Sequence, residues 1–328
     1  MRLLQYNPNP YDAPGTWLRC NFHAHSTIHN PDASSDDMFT PEELAVLYRE
    51  EGYDVLCLTD EVDKLLPIVE SISDDKLLVL PGAEMGPLSP PSDHSRFHIL
   101  GINMNKPIQH RELLPGLAIR EINEQGAVAV LAHPAWGGHH INEMLGVEGY
   151  IGIEVYNYLS QRSAKGFSDQ IWNQIIDLRG LVWGFASDDI HSRAGAFGGW
   201  VWLKAEEKTP EAIVDALRRG QFYASQGPKI MKFDLEVITA EKKNGQKYDA
   251  WNVSAETSPA KLINFVTNGD WGRWAPAPEG ETITAAERIL PRPARWVRLE
   301  VIDENHKTAW SNPMLVPPAP GMPGYDGY

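Results

Sequence analysis

The sequence predicts an α/β barrel of mostly parallel strands followed by a small antiparallel β domain. Three observations carry this. Residues 17–227 alternate short apolar runs with helical patterns. Most of those runs are apolar throughout, as strands covered on both faces must be. After Gly227-Pro228 the texture changes to period-2 segments separated by Gly, Pro and polar turns.

Taken in order, the strand candidates are WLRCNFH (17–23), YDVLCLTD (53–60), KLLVLPGAE (76–84), FHILGI (97–102), AVAVLAH (127–133), YIGIEVYN (150–157), LVWGFASD (181–188) and WVWLKA (200–205). Thr40-Pro41-Glu42-Glu43 offers an N-cap hydroxyl, a first-turn proline and a glutamate at the third helical position, and Gly52 is placed to end that helix. Thr209-Pro210-Glu211 starts another, closed by Gly220, and segments near 111–125 and 165–179 read as helical. Repeated strand–helix alternation means α/β, and this many parallel strands suggests a barrel. MKFDLEV (231–237), KLINFVTN (261–268) and RWVRLEVID (295–303) read as strands of a sandwich-like domain, with TAAERIL (284–290) a weak helical pattern. The expected layout is an N-terminal extension (1–16), a barrel (17–228), a β domain (229–316) and a turn-rich tail (317–328). The 328 residues have length for one large domain plus a smaller one.

A formal net charge of -15, from 29 basic and 44 acidic residues, argues against a general nucleic-acid or anionic-membrane surface. Acidic proteins still act on phosphate compounds where metal ions supply local positive charge. Cys20 and Cys57 lie in apolar runs and read as buried free thiols, which suits a reducing compartment. MRLLQYNPNPYDAPG lacks the continuous apolar core of a signal peptide, and no run is long enough to span a membrane, so a cytoplasmic location is expected.

The polar residues concentrate at strand ends. His23 and His25 end the first strand, and alternation points both to one side. Such a pair alone reads more readily as a surface loop than as a metal site. Later strands repeat the pattern: Thr59-Asp60-Glu61, Gly82-Ala83-Glu84, His98 before ILGI, His133-Pro134, Glu154, and Ser187-Asp188-Asp189-Ile190-His191. Imidazoles and carboxylates at successive strand ends of a barrel converge on one face. Mixed His and carboxylate donors without cysteine suit Zn, Mn or Fe, and their number implies two or three divalent ions.

This ordered set resembles the polymerase and histidinol phosphatase (PHP) superfamily, over about the first two-thirds of the chain. Strands around Ala309-Trp310-Ser311-Asn312-Pro313 resemble the β domain of PHP hydrolases related to carbaryl hydrolase. The resemblance implies a distorted seven-stranded barrel that hydrolyses phosphoesters. It implies one ion among His23, His25, Glu84 and Asp189, and a second held by Glu84 as a bridge with His98 and His133. A third would fall to His191, Asp32 or Asp36, and Glu61. Glu61 stands where the family usually has histidine, which leaves a third, oxygen-richer site or its loss both open. Asp188 stands at the usual serine and would orient a ligand from behind.

Among the other candidates, Arg193 would grip a substrate phosphate or carboxylate, or make a surface salt bridge. Glu154, Tyr156, Asn157 and Asp60 are placed around the pocket, and Trp136 is expected to face substrate. His139-His140 reads as a solvated glycine-rich loop. No P-loop or dinucleotide-binding glycine pattern occurs. The expected activity is hydrolysis of a small, anionic phosphate ester by a metal-activated water. Hydrolysis of a carbamate, ester or amide on the same site is the alternative, and a non-enzymatic protein binding through its β domain is another. Oligomeric state stays open.

Overall fold

A computed structural model describes residues 9–28, 38–61, 69–87, 97–241, 243–269, 272–290 and 294–317. The chain forms two compact units, Pro14–Ala224 and a second made of the described residues from 225 onward together with 9–13. Residues 9–13 thus belong with the β strands of the second unit: the Asn9 side-chain amide donates to the Phe233 carbonyl (2.8 Å) and to Asp234 Oδ1 (3.1 Å).

The larger unit contains β1 (Thr16–Asn21), α1 (Pro41–Glu50), β2 (Val55–Leu58), β3 (Leu78–Met85), β4 (Ile99–Ile102), α2 (Pro115–Glu124), β5 (Val128–Leu131), α3 (Pro134–Gly137), α4 (Ile141–Leu145), β6 (Gly152–Asn157), α5 (Tyr158–Gln161), α6 (Asp169–Arg179), β7 (Trp183–Ser187), β8 (Trp200–Ala205), α7 (Pro210–Arg219) and β9 (Phe222–Ser225). Helix boundaries follow local chemistry. The Thr40 hydroxyl accepts from Glu43 N while the Glu43 carboxylate accepts from Thr40 N, so two orphan donors at the start of α1 are satisfied reciprocally. Thr209 caps α7, and Gly220 ends it at φ +67°.

β1, β2 and β3 pair in parallel, as do β5, β6 and β7. Two strands depart from the expected parallel order. β4 runs antiparallel to both β3 and β5, and β8 antiparallel to β1. A parallel neighbour would need a crossover connection, which antiparallel β4 does not. The path from β1 to β7 returns on itself at one end: Ala24, beyond β1, forms a parallel bridge with Ile190, beyond β7. Side chains such as Phe22, Val55, Leu80, Leu100, Val130 and Phe185 fill a common core. At Gly82 a Cβ would stand 2.6 Å from the Gly101 carbonyl oxygen, so this close approach of β3 to β4 requires glycine.

The smaller unit is all β: β10 (Ile230–Glu241), β11 (Lys247–Ala260), β12 (Leu262–Thr267), β13 (Arg273–Pro276), β14 (Ile283–Ile289), β15 (Trp296–Ile302), β16 (Thr308–Ser311) and β17 (Met314–Leu315). One sheet has the order β10-β11-β14, and a second contains β13-β12-β15-β16, with β17 also on β15. Phe233 and Phe265 stack between them at 6.5 Å. TAAERIL is strand β14, contrary to its helical reading. Pairing of Asn252–Glu256 with Ala285–Ile289 overrides the helix preference of Ala, Glu and Arg. No helix among the described residues is long and apolar enough to cross a membrane.

Cys20 and Cys57 are fully buried free thiols. Burial pushes both thiol pKa values up, that of Cys57 to about 12. Folded protein at pH 8 is therefore expected to react with iodoacetamide at least ~100-fold more slowly than denatured protein. Rapid labelling of either thiol in the native protein, read by mass spectrometry, would contradict this burial.

Candidate metal centre

The strand ends are stitched together before any side chain acts. Asp189 N donates to the His23 carbonyl, His25 N to that of Ile190, Thr59 N to that of Ala24, and Glu84 N to that of Thr59. β1, β2, β3 and β7 thus deliver their terminal side chains to one place. β4 joins them because it runs the other way: an antiparallel strand begins where its neighbours end, and His98 lies just ahead of its first residue.

The geometry at that place is tight. His23 Nε2 and His25 Nε2 are 3.1 Å apart. Glu84 Oε2 is 3.3 Å from the first and 3.1 Å from the second. Asp189 Oδ1 is 3.3 and 3.2 Å from the same two nitrogens. Donors bound at about 2.0–2.1 Å in a tetrahedron are spaced about 3.3 Å apart, so these edges match a cradle for one small cation. The other oxygen of Glu84 faces a second set: Oε1 is 2.7 Å from His98 Nδ1 and 3.0 Å from His133 Nε2. Both quartet and trio have the nitrogen and oxygen donors that Zn, Mn and Fe accept. The residues present fit two divalent ions sharing Glu84.

A third buried carboxylate holds the cradle rather than opening to it. Glu154 Oε1 lies 2.8 Å from His23 Nδ1 and accepts the Ser187 hydroxyl. Its Oε2 accepts His133 N (2.8 Å) and the Asn157 amide (2.9 Å). With Nδ1–H committed to Glu154, a neutral His23 directs its Nε2 lone pair at the quartet. The Asn157 amide also reaches Asp189 Oδ2 at 3.1 Å, tying two donors' supports to one side chain. The backbone bears strain here: His133 has φ +27° and Asp189 φ +54°, a region side chains other than glycine rarely adopt.

In the absence of a cation the cluster keeps protons instead. Burial disfavours the charged imidazole of His23, but Asp189, Glu154 and Glu84 outweigh it and hold its pKa well above the usual histidine range. His25 is likewise opposed by burial, yet hydrogen bonding to Asp189 and Glu84 raises it to about 10. Burial alone would raise Glu84 and Asp189, and the surrounding imidazoles pull both below the usual carboxylate range.

A cavity of about 150 Å³ opens over this cluster, lined by Glu61, Glu84, His98, His133, Trp136, Leu159, Ser160, Asp189 and His191. Glu61 and His191 thus reach the cavity, though neither belongs to the quartet or trio. Asp32 and Asp36 lie outside the described residues. Asp60 is buried beside the cluster with its oxygens accepting Ser26 N and Ser26 Oγ, and so holds the loop after His25.

Four expectations need correction. Asp188 supports the backbone behind the ligands rather than a ligand's side chain. Its carboxylate accepts from Asn21, Tyr48 and the backbone of Phe197, Gly198 and Gly199, Asn21 Oδ1 in turn accepts His23 N, and burial raises the Asp188 pKa to about 6. Tyr156 is buried against Phe167 and does not line the cavity. Arg193 is exposed with its guanidinium 4.7 Å over the Phe39 ring, outside the cavity lining. His139 is buried and stacked on Phe97 rather than solvated, unlike exposed His140. The residues sequence reasoning missed are Ser187, Leu159 and Ser160. Only Ser187 had a signal, standing two positions before Asp189 at the end of β7.

No family model and no curated protein sequence matches the chain. Among solved structures, the chain is similar to a two-domain protein of Bacteroides vulgatus described as containing a predicted PHP-like metal-dependent phosphoesterase. The TM-score is 0.49 at 16% identity, covering 92% of this chain and 95% of that one. It is also similar to PsfC from Pseudomonas syringae, with TM-score 0.42 and 12% identity over 61% of this chain and 87% of that one.

The raised pKa of His25 sets a pH dependence. Its folded value of about 10 exceeds the unfolded value of 6.5, so its contribution to stability is complete below 6.5 and is lost as pH rises toward 10. Chelated protein is expected to lose thermal stability between pH 7 and 10, and Zn- or Mn-loaded protein to lose less, because the cation replaces the protons. Melting curves in chelator that stay flat over this range would contradict the assignment.

Proposed function

We propose that the chain is a metal-dependent hydrolase of the PHP type, acting as a phosphoesterase on a small phosphate ester. The observation that carries the reading is the Glu84 carboxylate, whose two oxygens face two separate sets of imidazoles at 2.7–3.3 Å. His23, His25, Glu84 and Asp189 would hold one divalent ion, and Glu84, His98 and His133 another. Such ions, when bound, supply Lewis acidity and lower the pKa of water toward neutrality.

The chain's own groups account for the rest. Glu154 fixes the tautomer of His23, and Asn157 keeps Glu154 and Asp189 in register. Trp136 shields one side of the two imidazoles beside Glu84 Oε1. His191 lines the cavity, and burial followed by the charge of His25 lowers its pKa. Its Nδ1 is 3.0 Å from the Asp189 carbonyl oxygen, which assigns the proton to Nδ1.

A second reading, cleavage of a carbamate, ester or amide, is favoured by one observation. No Lys or Arg lines the cavity among the described residues, so no protein cation is there to balance a phosphate dianion.

The test is phosphate release from a panel of phosphomonoesters and diesters by protein reconstituted with Zn²⁺, Mn²⁺ or Fe²⁺, with metal counted on the same sample. Chelator-sensitive release is expected; bound metal without release, but with turnover of esters or carbamates, would replace the phosphoester reading with the second. His25→Ala and Asp189→Ala are expected to abolish turnover. Glu154→Gln weakens the support behind His23 and His133 without removing a ligand, and is expected to cost about 10- to 100-fold in metal affinity or activity. Full activity in Glu154→Gln would remove that carboxylate from the mechanism.

A further inference from the structure

Trp172, Trp183, Trp200, Trp296 and Trp310 are at most 8% exposed, whereas Trp136 is 46% and Trp274 64% exposed, and of these two Trp136 lines the cavity. It is nevertheless not a stray surface residue. Its indole packs edge-to-face on His133 (5.0 Å) and His98 (5.7 Å), the imidazoles facing Glu84 Oε1, and it lines the cavity. The tight loop Gly137-Gly138, with Gly138 at φ +66°, lets the chain turn away directly after the ring. An aromatic surface left open beside the reactive cluster loses its hydration favourably only when a ligand covers it.

Charge and size narrow that ligand. The cavity lining carries the carboxylates of Glu61, Glu84 and Asp189 and no Lys or Arg among the described residues. Glu61, which belongs to neither cradle, adds a further carboxylate to this lining. Leu159 adds an apolar contact. A volume of about 150 Å³ is close to that of a cavity known to admit a benzene-sized molecule.

We infer that Trp136 is the specificity-determining residue of this site and selects esters whose leaving group carries a single uncharged aromatic ring, stacked on the indole while the scissile group meets Glu84, His98 and His133. The inference rests on the hydrolase reading above and deepens it. Binding of the ring is a property of Trp136 and Leu159, whichever bond is cut.

The test compares benzyl phosphate with cyclohexylmethyl phosphate, which match in charge, size and leaving-group type and differ in the aromatic ring. Metal-loaded wild-type protein is expected to prefer benzyl phosphate about five- to tenfold in kcat/KM, mainly through KM. Trp136→Phe should keep the preference, and Trp136→Leu, which keeps an apolar side chain without a π-face, should lose it. Bound metal is counted in each variant. Should neither phosphate turn over, the phosphoester reading fails on its own. The ring is then judged by ligand-observed NMR with benzyl alcohol and cyclohexylmethanol on the same metal-loaded proteins. Stronger binding of benzyl alcohol to wild type and Trp136→Phe, but not to Trp136→Leu, supports the inference. Equal treatment of the two compounds by wild-type protein, or a preference that survives Trp136→Leu, overturns it.

Discussion

Everything in the larger unit depends on keeping three buried carboxylates, Glu84, Glu154 and Asp189, beside buried imidazoles without an unpaired charge. An uncompensated ion at such a depth would cost several kcal/mol. The chain meets that constraint in two ways. Glu154 is satisfied by N–H and O–H donors on both oxygens, while Glu84 and Asp189 face nitrogens that carry either protons or a shared cation. Proton and cation therefore compete for the same positions, and stability, metal affinity and pH become one linked property.

The scaffold is shaped by the same demand. Side chains from β1, β3, β5, β6 and β7 reach a common point only because the backbone beyond the strands is cross-bonded, from His23 and His25 to Asp189 and Ile190, and from Ala24 to Thr59. Asp188 serves this framework and not the cluster, gathering Asn21, Tyr48 and the 197–199 segment. Positive φ at His133 and Asp189 is held in place by those bonds and by Glu154 Oε2 on His133 N. Adjacent aspartates thus divide the labour, one fixing the backbone that aims the other.

Charge at the cavity is one-sided. With Arg193 turned onto Phe39, the lining offers carboxylates, imidazoles, a serine, a leucine and an indole. On the proposed reading, recognition beyond the ions would fall, among the described residues, to apolar and aromatic contact.

The sequence by itself determined β1 to β8 and the helices α1, α2, α6 and α7, because strand runs, capping hydroxyls and terminal glycines are local signals. It also determined which residues could form the cluster: alternation puts His23 and His25 on one side, and a polar residue ending an apolar strand is conspicuous anywhere. Only the tertiary structure decided their division of work. That Ser187 rather than Asp188 supports Glu154, that Tyr156 turns into the core while Asn157 turns to Asp189, and that Arg193 leaves the cavity are matters of one-residue alternation and of packing partners remote in sequence. The reversed β4, which brings His98 to Glu84, and β14, formed against helical propensity, were settled likewise by strand pairing, an interaction between segments that no local pattern specifies.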